Sequence, residues 1–123
     1  MAPHPRIASA KIRERILDCL RDETRHGFHP DSIRFLNQID FRASDLVADL
    51  IEDLERFELF DKPRTDPNIP AKYQFVMRYD DGALLIHVTL TPQVTEPPRV
   101  KLAVHRHNIP GPPLPLIPIK GTP

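Results

Sequence analysis

The chain lacks the features that announce most common chemistries. It holds one cysteine, Cys19, so no internal disulfide can form. That thiol falls on the apolar side of a predicted helix, where a reduced, buried thiol is expected, and this fits a cytoplasmic setting. No stretch approaches the roughly 20 apolar residues of a membrane span, and the opening MAPHPRIASAK has no apolar run of the signal-peptide kind. Neither export nor a membrane partner is therefore expected. The chain contains no CxxC, no HExxH, no phosphate-binding glycine loop and no internal repeat. Net charge is absent as well, with 17 basic against 17 acidic side chains, so the total argues for no general polyanion affinity. The distribution is uneven: residues 1–62 carry 10 basic and 13 acidic groups, residues 63–123 carry 7 and 4. The basic excess thus lies in the second half, where an anionic ligand is the better expectation.

A length of 123 residues, with 40% hydrophobic and 28% charged side chains, suits one soluble globular domain. Eight of the fifteen prolines lie at or beyond Pro97. The composition therefore predicts an α+β domain over residues 1–108 followed by an extended, proline-rich tail over 109–123. Leu114, Leu116 and Ile117 leave two readings of that tail open: a floppy end, or a strap docked on this chain or on a second copy in a homodimer.

Helical spacing of Ile12, Ile16, Cys19 and Leu20 predicts a helix from Ser9 to about Arg21. Pro30-Asp31-Ser32 opens a short second one, and His26 and His29 are read as loop residues between the two. Leu46, Val47, Leu50, Ile51, Leu54 and Phe57 predict the strongest helix, Ser44 to about Glu58, with Ser44 as N-cap. Its other face carries Asp49, Glu52, Asp53, Glu55 and Glu58. The prolines of 62–70 predict a loop.

Two alternating segments flank Asp81-Gly82, a pair typical of a two-residue hairpin turn. A turn there pairs Asp80 with Ala83 and fixes the register beyond it. Tyr79 then faces Leu84, Met77 faces Ile86, Phe75 faces Val88 and Tyr73 faces Leu90, an apolar set throughout. A third strand, Arg99 to His107, alternates Val100, Leu102 and Val104 with Lys101, Ala103, His105 and His107. The expected architecture is two to three N-terminal helices on a small three-stranded antiparallel sheet. Its outer face, read as solvent-exposed, gathers His87, His105, His107, Lys72, Gln74, Arg78 and Lys101, while the register of the third strand stays open.

Histidine can both give and take a proton near neutral pH, and cations beside it can hold a phosphate. RNA cleavage needs that set: a base for the 2′-hydroxyl, an acid for the departing 5′-oxygen and a cation for the developing charge. No metal is obligatory, because the 2′-hydroxyl is itself the nucleophile. Three other readings remain open: a polar sheet face with no further role, a metal site of His87, His105 and His107 with no acidic residue to orient it, and a non-enzymatic module that binds a protein through the acidic helix or the tail.

These elements resemble the MqsR family of toxins from bacterial toxin–antitoxin modules, which share the RelE-like fold and cut mRNA. The carrying segments are Asp40-Phe41, Leu46 to Leu54, Phe60-Asp61-Lys62, Gly82 to Leu90 and Val100 to His105. In that family a lysine after the long helix, a polar residue early in the first strand, a tyrosine in the second and a lysine or histidine ending the third are associated with cleavage. Lys62, Lys72, Leu85 and His105 occupy those places. Leu85 departs from the pattern, and His87 follows on the same face. The resemblance implies a RelE-like fold, an mRNA endoribonuclease working without a cofactor, and a cognate antitoxin as partner. With it go His105, His87 and Lys62 as catalytic groups and Arg78, Lys101, Lys72, Gln74 and His107 as RNA contacts.

Overall fold

A computed structural model describes residues 5–108 and 111–119. Three helices cover one face of a five-stranded mixed sheet. Helix α1 (Ala10–Leu20) starts at Ser9, whose hydroxyl accepts from the Ile12 N–H at 3.2 Å. Helix α2 (Pro30–Gln38) has proline in its first turn and His29 as N-cap, the imidazole accepting from the Asp31 N–H. Helix α3 (Ala43–Arg56) begins one residue earlier than expected: Arg42 is the N-cap without a side-chain cap bond, and Ser44 lies inside the first turn.

The sheet runs β1 (His26–Phe28), β5 (Arg99–Arg106), β4 (Leu84–Gln93), β3 (Lys72–Tyr79), β2 (Phe60–Lys62) in space. The three-stranded antiparallel expectation is its centre. The correction is at both edges, where a three-residue strand is added: β2 antiparallel to β3, and β1 parallel to β5. His26 is therefore a strand residue, its Nδ1 donating to the carbonyls of Cys19 and Asp22 at the end of α1. Lys62 closes β2 instead of opening a loop. Where β1 stops, the Ser32 hydroxyl of α2 accepts from the Val104 N–H at 2.7 Å, satisfying a strand donor that no neighbouring strand reaches.

The hairpin register is the expected one from Tyr79↔Leu84 to Tyr73↔Leu90. The corner is the expected two-residue turn, with Asp81 and Gly82 at positive φ and the Ala83 N–H closing onto the Asp80 carbonyl at 3.0 Å; Asp80, also at positive φ, leaves the ladder one pair earlier, at Tyr79↔Leu84. Glycine suits the φ of +94° at position 82, while two aspartates accept the left-handed region more readily than most residues do. Strands β4 and β5 pair with His87 opposite His105 and Leu90 opposite Leu102.

The inner face carries Phe75, Met77, Ile86, Val88, Leu90, Val100, Leu102 and Val104, packed against Ile16, Leu17, Leu20, Leu36, Leu46, Leu50 and Leu54. The outer face is not the water-facing surface the alternation predicts. Phe60, the partner of Gln74, is 0% exposed, Val76 1% and His87 2%. Both ends of the described chain pack along its β2 edge. Ile7 bridges Phe60, with Ala8 N–H donating to Leu59 and Asp61 N–H to Arg6. On the tail, Pro118 bridges Phe57, Glu58 N–H donates to Ile117, and Ile119 N–H to Arg56. Leu114 reaches the same face, its carbonyl accepting from Arg78. Over the described residues 111–119, then, the docked reading of the tail holds within this chain. No helix of the described residues is long and apolar enough to cross a membrane.

Candidate functional site

Strand alternation brings positions 72, 74, 76 and 78 of β3 to the outer face, together with 85, 87, 89 and 91 of β4 and 101, 103 and 105 of β5, with His107 just past its end. One row across it reads Val76, His87, His105; the next reads Gln74, Thr89, Ala103. The register left open by the sequence therefore sets the two imidazoles side by side. Their ring centroids are 4.8 Å apart at 61°, and His87 Nδ1 lies 3.2 Å from His105 Nε2.

The protons in this row follow from its far end. A backbone carbonyl only accepts, so Gln74 Nε2 donates to the Asp61 carbonyl at 3.2 Å. Gln74 Oε1 then faces His87 Nε2 at 3.0 Å, which makes that nitrogen the donor. A neutral His87 has its lone pair on Nδ1, so His105 Nε2 donates to it. The chain of bonds ends at His105 Nδ1, which carries a lone pair on an exposed side chain.

Charge and burial keep this row neutral at pH 7. Burial pushes the His87 pKa down to about 4, helped by the charges of His105, Lys62 and His107. His105 is lowered too, first by its partial desolvation and then by Lys62 and His107. Lys62 is itself lowered by burial and by Lys72, its cross-strand partner. His107 stacks at 6.0 Å from His87, and its two buried ring nitrogens have no partner among the described residues.

The other expected site residues separate. Lys62, Lys72 and Gln74 line an open groove of about 690 Å³ at the β2 edge, together with Arg6, Arg64 and Leu114. Arg78 lies two rows from that end, donating to the carbonyls of Val76 and Leu114, and burial lowers its pKa. Lys101 is exposed at the opposite edge of the three central strands from Lys72. His87, expected on an exposed face, is enclosed with both nitrogens bonded, so it positions His105 instead of meeting a substrate. The polar β3 residue that joins the histidines is Gln74, not Lys72. Among the described residues no group of three or more His, Cys, Asp or Glu side chains is arranged to hold a metal ion.

Two groove residues, Arg6 and Arg64, were not among the sequence candidates. Arg64 sits in the proline-broken loop after β2, and Arg6 in the segment before α1, neither with a periodicity that places a side chain. Comparisons with protein-family models, with curated proteins and with solved structures find no match for this chain.

Proposed function

We propose that this protein is a metal-independent endoribonuclease acting on mRNA, the toxin of an MqsR-like toxin–antitoxin module with the RelE-like fold. The observation that carries the reading is the directed chain from the Asp61 carbonyl through Gln74 and His87 to His105, which leaves a neutral imidazole whose Nδ1 has no partner among the described residues, within electrostatic reach of Lys62. A base of that kind, with its tautomer fixed from behind, is what deprotonation of a 2′-hydroxyl requires.

In the proposed reaction His105 Nδ1 takes the proton of the 2′-hydroxyl, and the 2′-oxygen bonds to the adjacent phosphorus. Lys62 holds the charge that grows on the non-bridging oxygens. The bond from phosphorus to the 5′-oxygen breaks, and the Lys62 ammonium, made more acidic by burial and by Lys72, gives that oxygen its proton. The products are a 2′,3′-cyclic phosphate and a 5′-hydroxyl, and water restores the two side chains. His87 and Gln74 touch no substrate; they hold His105 in one tautomer and accept part of the charge it gains. Leu85, where the family's tyrosine stands, contributes nothing to the proton path, and the His105 row supplies the base in its place.

The test is cleavage of a defined RNA by the purified chain with a chelator present. The reading expects 2′,3′-cyclic phosphate ends and loss of cleavage in His105→Ala. Intact RNA, or cleavage unchanged in that variant, overturns it.

A further inference from the structure

We propose that the groove at the β2 edge is a second phosphate subsite, in which Lys72 and Arg64, with Arg6 at the rim, hold a backbone phosphate of a single-stranded nucleic acid other than the one being cut. The inference rests on the nuclease reading only in taking Lys62 as the partner of the scissile phosphate.

The groove is lined by four cations, Arg6, Lys62, Arg64 and Lys72, against one carboxylate, Asp61. That carboxylate is already ion-paired with Arg6 at 3.4 Å. Among the described residues Lys62, Arg64 and Lys72 enter no ion pair. Lys62 and Lys72 are also direct cross-strand partners, a like-charge pairing that weakens a sheet unless an anion sits between or beside the two. Arg64 is pinned, its Nη1 donating to the Ile69 carbonyl at 2.8 Å and to Pro67 at 3.5 Å. Carbonyl acceptors fix the guanidinium without neutralising it, and its other N–H groups remain for a ligand. A phosphodiester carries one negative charge, so a single scissile phosphate on Lys62 leaves Arg64 and Lys72 unmatched.

Beside these cations the walls include Pro63 and Leu114, with Tyr73, whose side chain packs against the core, at the edge. A cationic track with apolar surface along it suits a single strand, the charges following the backbone and the apolar groups the bases. About 690 Å³ is room for a nucleotide unit instead of a lone ion. An acidic polypeptide would use the same charges but not the apolar walls, and it serves as the competing outcome.

The experiment uses the full chain and a fluorescent five-nucleotide all-deoxy oligonucleotide, which lacks the 2′-hydroxyl and so cannot be cut by the proposed route. Anisotropy is followed from about 50 to 200 mM salt for the wild type, Arg64→Ala, Lys72→Ala and, as control, Lys11→Ala on the exposed side of α1. Each groove variant should bind about five- to tenfold more weakly, with a salt slope shallower by about 0.7 for the lost phosphate contact, while Lys11→Ala binds as the wild type does. Unchanged affinity and slope in both groove variants overturns the subsite, as does a poly-glutamate peptide that competes as well as the oligonucleotide. Binding with the expected slopes but no RNA cleavage upholds the subsite and removes the nuclease reading. RNA cleavage with binding indifferent to Arg64 and Lys72 does the reverse.

Discussion

The two faces of the sheet are built from the same three central strands, yet they are closed in different ways. The inner face is sealed by α1, α2 and α3, elements with apolar stripes of their own, so burial there follows from periodicity alone. The outer face is bordered by a segment before α1 and reached at Arg78 by a proline-rich tail, neither of which has a repeating pattern. The first arrangement gives a core of aliphatic and aromatic side chains. The second encloses His87, both of whose ring nitrogens are bonded inside the protein, with Gln74 half-buried beside it. The difference teaches that strand alternation separates the faces of a sheet but does not say which of them meets water.

The contrast can be broken at several points. The largest effect belongs to the outer face: His105→Ala should lower RNA cleavage by about a thousandfold and, by taking the donor from the buried His87 Nδ1, cost only about 1 kcal/mol of stability. Quantified cleavage and denaturant unfolding of the same preparation check both halves. On the inner face the expected loss is stability: Leu50→Ala, at a fully buried α3 position, should cost about 3 kcal/mol in urea unfolding.

The enclosed histidine makes a third prediction, about pH. The fold depresses the His87 pKa to about 4 from an ordinary value near 6.5, so on acidification the unfolded chain takes the proton first. Stability from this group is therefore fully present above about pH 6.5 and falls as pH drops towards 4, by up to about 3 kcal/mol. His87→Leu should flatten that part of the profile, measured as unfolding free energy at pH 7.0 and 4.5. The smallest effect comes from the tail. Deleting residues 109–123 removes the acceptor of Arg78 and the bonds to Arg56 and Glu58, for a loss of about 1 kcal/mol. RNA cleavage should persist in that variant; a protein that works as an adaptor through its tail would instead lose its partner.

How much of this was legible depends on how each part is specified. Asp81-Gly82 fixed the hairpin register by local chemistry, and the apolar pairs on either side of it agreed, so the inner face could be read pair by pair. The residues from 94 to 98 impose no such register on β5, and the meeting of His87 with His105 had to wait for coordinates. The strands β1 and β2 are three residues each, too short to show a period, and both lie beside signals that read as loop: His26-Gly27 in one case, Lys62-Pro63 in the other. Gln74 was recognisable as an outer-face polar residue. Its role as the link between Asp61 and His87 was not, because Asp61 belongs to the strand the prolines concealed. The burial of His87 was illegible for a related reason: the tail that reaches Arg78 on the same face, and the Gln74 and His105 side chains that bond the imidazole, follow from no periodic pattern.

The account turns on the proton arrangement of the His105, His87 and Gln74 row, and long-range proton–nitrogen correlation of the imidazole rings measures it directly. At pH 7 both His87 and His105 should be neutral with the proton on Nε2, and His87 should titrate near 4. A His105 ring protonated on Nδ1, or a His87 ring that titrates at or above 6.5, would contradict it.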